Sequence, residues 1–143
     1  MGDLDGDHSI SNLGYSYNDI EAVTAPRIGE VDIYRANHHG SSHSSSKYLL
    51  DTLKPTLTLF SCGNGNSYGH PSESTLARVK AIGSKMYLTT NCANDRNYGE
   101  DAFLNMGDMK ISSTDGNSYI ISGNTGTKQY YSKMNKAKGN CSK

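Results

Sequence analysis

Residues 31–41 read VDIYRANHHGS, a short β-prone run that ends in two adjacent histidines. Apolar and polar residues alternate along the first six positions, which predicts a strand at residues 31–36. The His-His-Gly-Ser motif then follows at the C-terminal end of that strand. This stretch therefore predicts an element of a sheet and also the place where a functional site would be built.

Two further strands are predicted at residues 56–61 and 85–90, because both runs are rich in β-prone residues. Helical patterns separate the three strands at short spacing. Strand, helix, strand, helix, strand in this order predicts a parallel βαβαβ layer, and hence an α/β fold. Sites in such sheets gather beyond the C-terminal ends of the strands.

The helices are delimited by their capping residues. One of the serines at 44–46 can cap the first crossover helix, which ends at residues 54–55, Lys-Pro. The second begins at residues 71–72, Pro-Ser, and ends at Gly83. A further short helix is predicted at residues 17–23, upstream of the first strand.

The C-terminal third has a different pattern. Residues 109–112 and 118–122 are β-prone and flank an Asp-Gly-Asn turn at 115–117, which predicts a β-hairpin. Residues 123–143 are polar and lysine-rich, and we expect a flexible tail there. The predicted domain thus spans residues 1–122.

Composition excludes several classes of protein. The 143 residues carry 14 basic and 14 acidic side chains, so net charge does not indicate a nucleic-acid or membrane partner. No run approaches the roughly 18 apolar residues of a transmembrane helix, and the N-terminus lacks a signal-peptide pattern. Because Gly2 and Asp3 have no strand before them, we expect the C-terminal portion of a longer protein.

Three cysteines, Cys62, Cys92 and Cys141, occur without a Cys-x-x-Cys spacing, so a structural zinc ribbon is not indicated. Two interpretations remain open. The thiols are buried and reduced, or Cys62 and Cys92, which follow neighbouring strands, form a disulfide in an oxidising compartment. A surface rich in Asn, Ser and Tyr is compatible with an exported or cell-surface protein.

The first candidate site residues are His38 and His39. Because they are adjacent at the end of a strand, we expect their side chains to leave in opposite directions, so that at most one can easily enter a shared metal site. The other would orient its neighbour, contact the substrate or pack. Gly40 allows close backbone approach, and Ser41 offers a hydroxyl group suited to a phosphate oxygen.

The other candidates are His70, held between Gly69 and Pro71, and Asp3, whose carboxylate could bridge two divalent ions. Each also has a structural interpretation, as a turn histidine and a loop aspartate. A calcium loop starting at Asp3 is disfavoured, because positions six and twelve carry His8 and Gly14 instead of Gly and Glu.

In combination, Gly2-Asp3, residues 31–41 and the Tyr-Gly-His-Pro motif at 68–71 resemble the C-terminal half of metallo-β-lactamase-fold hydrolases of the ComEC competence-protein type. The resemblance covers residues 1 to about 92, and the hairpin extends it to 122. It implies an αββα sandwich and hydrolysis of DNA or another phosphoester.

The resemblance also implies a set of site residues. Zinc or manganese, two ions in the complete domain, would be bound by Asp3, His70 and His39. The catalytic residues would be His38, His39 and Ser41. The family's His-x-His-x-Asp-His motif is absent from all 143 residues. We therefore expect the isolated chain to bind metal weakly, to be inactive, and to need the missing N-terminal half of the domain.

Two alternatives stay open. The chain could be a non-catalytic fragment or an accessory module that binds a partner through an exposed sheet. It could also be a calcium-dependent adhesion module built on the acidic N-terminus and the tyrosine-rich tail.

Overall fold

The computed structural model describes residues 19–133. Helices and strands alternate in the first part of this region, and strands alone make up the second part. In chain order the elements are α1 (Ile20–Ile28), β1 (Ile33–Arg35), a 3₁₀ turn (Asn37–Gly40), α2 (Lys47–Leu53), β2 (Leu57–Phe60), α3 (Glu73–Ala81), β3 (Lys85–Leu88), β4 (Ala102–Phe103), β5 (Lys110–Ser112), β6 (Ser118–Gly123) and β7 (Gly126–Tyr131).

A four-stranded parallel sheet with the order β1-β2-β3-β4 organises the fold. Ile33 pairs with Leu57, and Leu57 pairs in turn with Lys85. The first residues of β1, β2 and β3 are therefore aligned, and the three parallel strands begin at the same edge of the sheet. α2 and α3 are the crossover connections between them. The predicted α/β class and the βαβαβ layer are confirmed, whereas the two-residue β4 was not predicted.

One face of this sheet is covered by the three helices. The apolar side of α2 contributes Leu49, Leu50 and Leu53, and α3 contributes Leu76 and Val79, all of them buried. They pack against side chains of the sheet such as Tyr34, Phe60, Met86 and Leu88. Ser46 caps α2 by accepting a hydrogen bond from the Leu49 backbone N–H, within the predicted serine run.

The other face is covered by an antiparallel sheet with the order β5-β6-β7. Leu57 and Tyr87 from the parallel sheet pack against Tyr119 and Ile121 from β6. The predicted hairpin is confirmed as β5 and β6. The described residues therefore form three layers, one helical and two of sheet, while the αββα sandwich implied by the resemblance stays a prediction.

Strand β7 differs from the prediction of a polar, flexible tail from residue 123. Gly126–Tyr131 pairs along β6 in full antiparallel register. Tyr130 points inward, stacks on Tyr119 with ring centroids 5.8 Å apart, and shares a 2.6 Å hydrogen bond with the Tyr87 hydroxyl. The polar residues of this segment lie on its exposed face. The inward Tyr130 packs against the parallel sheet, and a single such residue does not show in the composition.

Helix α1 also differs from its prediction, because it continues through Pro26 to Ile28 instead of stopping before the proline. Pro26 lies in the last turn on the exposed side, where its ring meets solvent and only one helical hydrogen bond is lost. Asp19 caps the helix by accepting from the Ala22 N–H at 2.9 Å. The part of the predicted helix before residue 19 lies outside the described residues.

Between residues 19 and 133, no helix is both long enough and apolar enough to cross a membrane.

We predict that Tyr130→Ala lowers the free energy of unfolding by about 1.5–3 kcal/mol, because a half-buried aromatic ring and its hydroxyl contact are lost. Tyr131→Ala is the matched control, since that side chain is 73% exposed on the same strand, and we expect a change within about 0.5 kcal/mol. Urea unfolding of both variants checks this. Equal destabilisation by the two substitutions would contradict the packing assigned to β7.

Candidate functional site

The two histidine motifs meet beyond the C-terminal ends of β1 and β2. The His38 ring lies edge-on to the His70 ring, with centroids 5.7 Å apart and an interplanar angle of 67°. The Tyr68 ring is nearly parallel to the His70 ring, with centroids 6.0 Å apart and an interplanar angle of 18°. Residues separated by about thirty positions in sequence thus form one side-chain cluster.

A cleft of about 290 Å³ opens beside this cluster. Its lining residues come from the two motif loops and from the end of β2, and they are His39, Ser61, Cys62, Gly63, Asn66, Tyr68 and His70. A larger cavity of about 560 Å³ lies at the opposite, N-terminal edge of the sheet, where Lys54, Pro55 and Thr56 line it. Because that cavity contains no histidine and neither motif, the smaller cleft is the candidate site.

The backbone at His38 and His39 is unusual. Both residues adopt left-handed conformations, with φ of 45° and 53°. Each costs of order 1–2 kcal/mol for a residue with a Cβ atom, and such residues persist where the surroundings fix them. The chain is therefore not extended here, in contrast to the strand end on which the expected divergence of the two side chains was based. His38 contacts His70, and His39 lines the same cleft as His70.

The hydrogen bond between His39 Nδ1 and the Ser61 carbonyl oxygen, 2.5 Å long, fixes the chemistry of that ring. A carbonyl oxygen can only accept, so Nδ1 carries the proton and donates it. In the neutral imidazole, the lone pair then lies on Nε2. This arrangement is typical of histidines that bind metals or act as general bases.

Gly40 is the point where the motif loops touch. A Cβ atom at this position would lie 2.7 Å from Pro71 Cβ and 2.8 Å from Phe60 Cε1. The Gly40 carbonyl accepts from the Ser72 N–H at 2.8 Å, and its φ of 83° is also left-handed. Only glycine satisfies both conditions without moving the second loop.

The loop that presents His70 is held from within. Asn66 acts in both directions, because its Oδ1 accepts from the His70 N–H at 2.8 Å and its Nδ2 donates to the His70 carbonyl at 2.7 Å. Arg96 donates to the carbonyls of Gly69 and Pro71. The peptide bond between His70 and Pro71 is cis. The backbone of His70 is therefore held in a short, hydrogen-bonded loop.

Behind the first motif, a buried carboxylate on α1 holds the chain. Glu21 accepts from the backbone N–H groups of Ser45 and Ser46, each at 2.7 Å, and from Asn37 Nδ2 at 2.9 Å. Charge-assisted bonds of this kind are stronger than neutral ones. Glu21 was not predicted to support the site, although an acidic residue on a buried helix side, next to Ala25, is the signal that could have shown it.

Arg78 on α3 secures the same loop through its carbonyls. Its guanidinium donates to the carbonyl oxygens of Ser42, Ser44 and Ser45 at 2.9–3.2 Å. Tyr34 adds a further contact, since its hydroxyl accepts from the Asn37 N–H and bonds Ser45 Oγ. Burial raises the pKa of Tyr34 to about 12, so this phenol stays neutral.

Ser41 is not among the residues that line the cleft. It is buried, and its carbonyl accepts from Thr75 Oγ1 at 2.8 Å, which ties the motif to α3. Its Oγ lies 3.4 Å from the His43 backbone N–H. The structure therefore gives Ser41 a structural contact, and its role toward a phosphate stays a prediction.

Asp3, the predicted bridging carboxylate, lies outside the described residues. Within residues 19–133, no three His, Cys, Asp or Glu side chains are grouped so that they could hold a metal ion. The rings of His38 and His70 are neighbours, and imidazole nitrogens are ligands that suit zinc or manganese, so this pair could supply part of a coordination shell. A closed coordination shell requires further ligands, such as the Asp3 carboxylate.

Cys62 and Cys92 form a disulfide with Cα atoms 5.3 Å apart, which resolves the two interpretations left open by the sequence. Cys62 lines the cleft, and Cys92 is fully buried. The bond joins the end of β2 to the loop after β3. Thr89 Oγ1 reinforces this junction by donating to the Cys62 carbonyl at 2.8 Å.

Comparisons with known proteins place this chain beside two proteins named for recombination and competence. It is 32% identical to Recombination protein 2 of Haemophilus influenzae over 75 residues, which are 52% of this chain and 10% of that protein. It is 42% identical to Competence protein ComA of Neisseria gonorrhoeae over 52 residues, which are 36% of this chain and 8% of that protein. No family model and no solved structure matches the chain.

These similarities support the competence-related part of the resemblance. The matched segments span at most about a tenth of the length of either relative. The metallo-β-lactamase fold itself is not confirmed by them.

We predict that Gly40→Ala lowers the free energy of unfolding by about 2–4 kcal/mol, because the added methyl group meets Pro71 and Phe60 and the residue keeps a left-handed φ. Gly63→Ala is the matched control, since a Cβ atom there has no neighbour within 4 Å. Urea unfolding measures both. A Gly40→Ala variant as stable as Gly63→Ala would contradict the close contact of the two loops.

We predict that loss of the disulfide lowers the free energy of unfolding by about 3–4 kcal/mol, the value expected for a closed loop of this length, since Cys62 and Cys92 are 30 positions apart. A Cys62→Ala/Cys92→Ala variant should match the reduced wild-type chain and be insensitive to dithiothreitol. Thiol titration should count one thiol in the oxidised chain and three after reduction. Three thiols in the untreated chain would refute the bond.

Proposed function

We propose that this chain is the histidine-bearing part of a metal-dependent phosphodiester hydrolase that acts in DNA uptake. The observation that carries the proposal is the convergence of the two motifs, which places His39 and His70 in one cleft and sets the His38 ring against that of His70. The names of the two relatives, a recombination protein and a competence protein, support the connection with DNA. The reaction and the substrate are our inference from the site.

In this proposal His38 and His70 would hold the metal, together with the carboxylate of Asp3, which lies outside the described residues. A bound zinc or manganese ion would supply Lewis-acid polarisation of the phosphate and an activated water. His39 keeps its Nδ1 proton on the Ser61 carbonyl, which leaves Nε2 able to ligate the metal or to accept a proton from the attacking water. Both roles use the same tautomer of His39.

In this proposal, the strained backbone at residues 38–39 orients the two histidine rings. Because both histidines are held in left-handed conformations by Gly40 and by the contact with Pro71, their rings need little rearrangement when a ligand binds. The network around Glu21 and Arg78 keeps the following loop from relaxing. The supporting contacts are thus built to hold a fixed geometry, as a catalytic site requires.

The disulfide supports an oxidising compartment, so we propose that the chain functions outside the cytoplasm, as an exported or cell-surface protein. The net charge of zero argues against long-range electrostatic capture of DNA by this chain. In this proposal the remainder of the domain supplies further metal ligands and any basic surface.

A second candidate, a non-catalytic module that binds a partner, is favoured by one observation. The part of the chain that the structure describes lacks a group of three metal-binding side chains. If the isolated chain takes up no zinc or manganese, this candidate replaces the first.

The test measures metal binding by the purified chain. Differential scanning fluorimetry and calorimetric titration are carried out with zinc, manganese and calcium. We expect zinc or manganese to raise the melting temperature, because these ions suit nitrogen ligands, and calcium to have no effect. A His38→Ala/His70→Ala variant should lose the response. His43→Ala should keep it, because that exposed histidine lies outside the cleft.

An unchanged response in the double variant would contradict the proposed ligands, and a response to calcium alone would favour the adhesion module. Asp3→Ala tests the bridging carboxylate in the same assay. Circular dichroism of every variant separates loss of the site from loss of the fold.

A further inference from the structure

Tyr68 is 83% exposed, the highest value among the large hydrophobic side chains that the structure leaves exposed between residues 19 and 133. It nevertheless lines the candidate cleft together with His39 and His70. An exposed aromatic side chain at the edge of a concave site offers a large ring face to a ligand.

The backbone that carries Tyr68 is fixed. Asn66 forms two hydrogen bonds with the backbone of His70, and its carbonyl also accepts from the Gly69 N–H at 3.2 Å. The Arg96 guanidinium also donates a hydrogen bond to the Gly69 carbonyl oxygen at 3.1 Å. Tyr68 lies between these anchored residues, so its ring projects from a loop with little freedom, which lowers the entropy cost of binding to it.

The orientation of the ring suits stacking. Tyr68 is nearly parallel to His70, with an interplanar angle of 18° and centroids 6.0 Å apart. His70 thus has ring contacts with both His38 and Tyr68, and Tyr68 lines the cleft beside it. A planar group stacked on Tyr68 would lie next to, and not over, the groups proposed to act on a phosphate.

We propose that Tyr68 stacks against an unpaired base of a single-stranded nucleic acid whose phosphodiester occupies the adjacent cleft. The inference rests on the proposed function, because that function places the phosphate beside His70. One sugar separates a base from its phosphate, so a base on Tyr68 keeps its phosphate within the same site. Stacking on exposed aromatic rings is a general means of binding single strands without regard to sequence.

The composition of the chain agrees with this mode of binding. A chain with 14 basic and 14 acidic residues has no excess positive charge to attract a phosphate backbone. Base stacking is an attraction that does not depend on net charge. A paired base presents only its edge to the protein, so Tyr68 selects bases that are not in a duplex.

The absence of tryptophan from the chain allows a direct test, because a Tyr68→Trp variant carries a single tryptophan at the proposed contact. This variant would be titrated with a short oligothymidylate and with an abasic strand of the same length, in the presence of zinc, with strand integrity checked on a gel. Tyr131→Trp is the matched control, since Tyr131 is 73% exposed on β7, away from the cleft.

We expect oligothymidylate to quench the tryptophan at position 68 and the abasic strand to quench it little, while the tryptophan at position 131 responds to neither. Fluorescence anisotropy with labelled strands then measures affinity. Tyr68→Ala should weaken binding of oligothymidylate by roughly 5- to 150-fold, the range found when single stacking residues are removed. Its binding of the abasic strand should be unchanged, and Tyr131→Ala should bind both strands as the wild type does.

Two results would overturn the inference, and they differ in what else they overturn. If the wild type binds both strands equally and Tyr68→Ala changes neither, Tyr68 does not stack a base, while the proposed phosphodiester site stands. If the wild type binds neither strand, the inference and the proposed function fail together.

Discussion

The contact of Gly40 with Pro71 and Phe60 is the constraint on which the candidate site depends. It lets the backbone of the first histidine motif lie directly against the start of α3, where the second motif ends. Without that approach, the His38 and His70 rings would not reach a centroid distance of 5.7 Å. A single hydrogen atom in place of a side chain therefore decides whether two distant loops form one site.

The strain at His38 and His39 is balanced by buried polar contacts behind them. Glu21 receives three hydrogen bonds and Arg78 donates to three carbonyls of the same serine-rich loop. Burying the Glu21 carboxylate without partners would cost several kcal/mol, whereas here it and the half-buried Arg78 meet backbone dipoles of the matching sign. Helix α1 thus binds the N–H groups of the loop through Glu21, and α3 binds its carbonyl groups through Arg78.

The two faces of the parallel sheet are covered by different kinds of structure. The helical face contains the supports of the histidine loops, while the face covered by β5, β6 and β7 is an aromatic and aliphatic core. Burial and the hydrogen bond with Tyr130 raise the pKa of Tyr87 far above its ordinary value, so the phenol remains neutral between the two sheets. The site is thus built on a sheet that is buried on both sides, which suits residues that must hold a fixed position.

The sequence by itself determined the α/β class, the three parallel strands, their crossover helices and the hairpin, because apolar periodicity and capping residues such as Ser46 and Ser72 are local signals. It also singled out His38, His39 and His70 by residue type and spacing. It did not determine that β7 completes the second sheet, that α1 continues through Pro26, or that Glu21 and Arg78 support the motif. The left-handed backbone of His38 and His39 was decided by the tertiary structure, since the close approach of Gly40 to Pro71 and Phe60 and the contacts of Glu21 and Arg78 stabilise a conformation that is unfavourable locally.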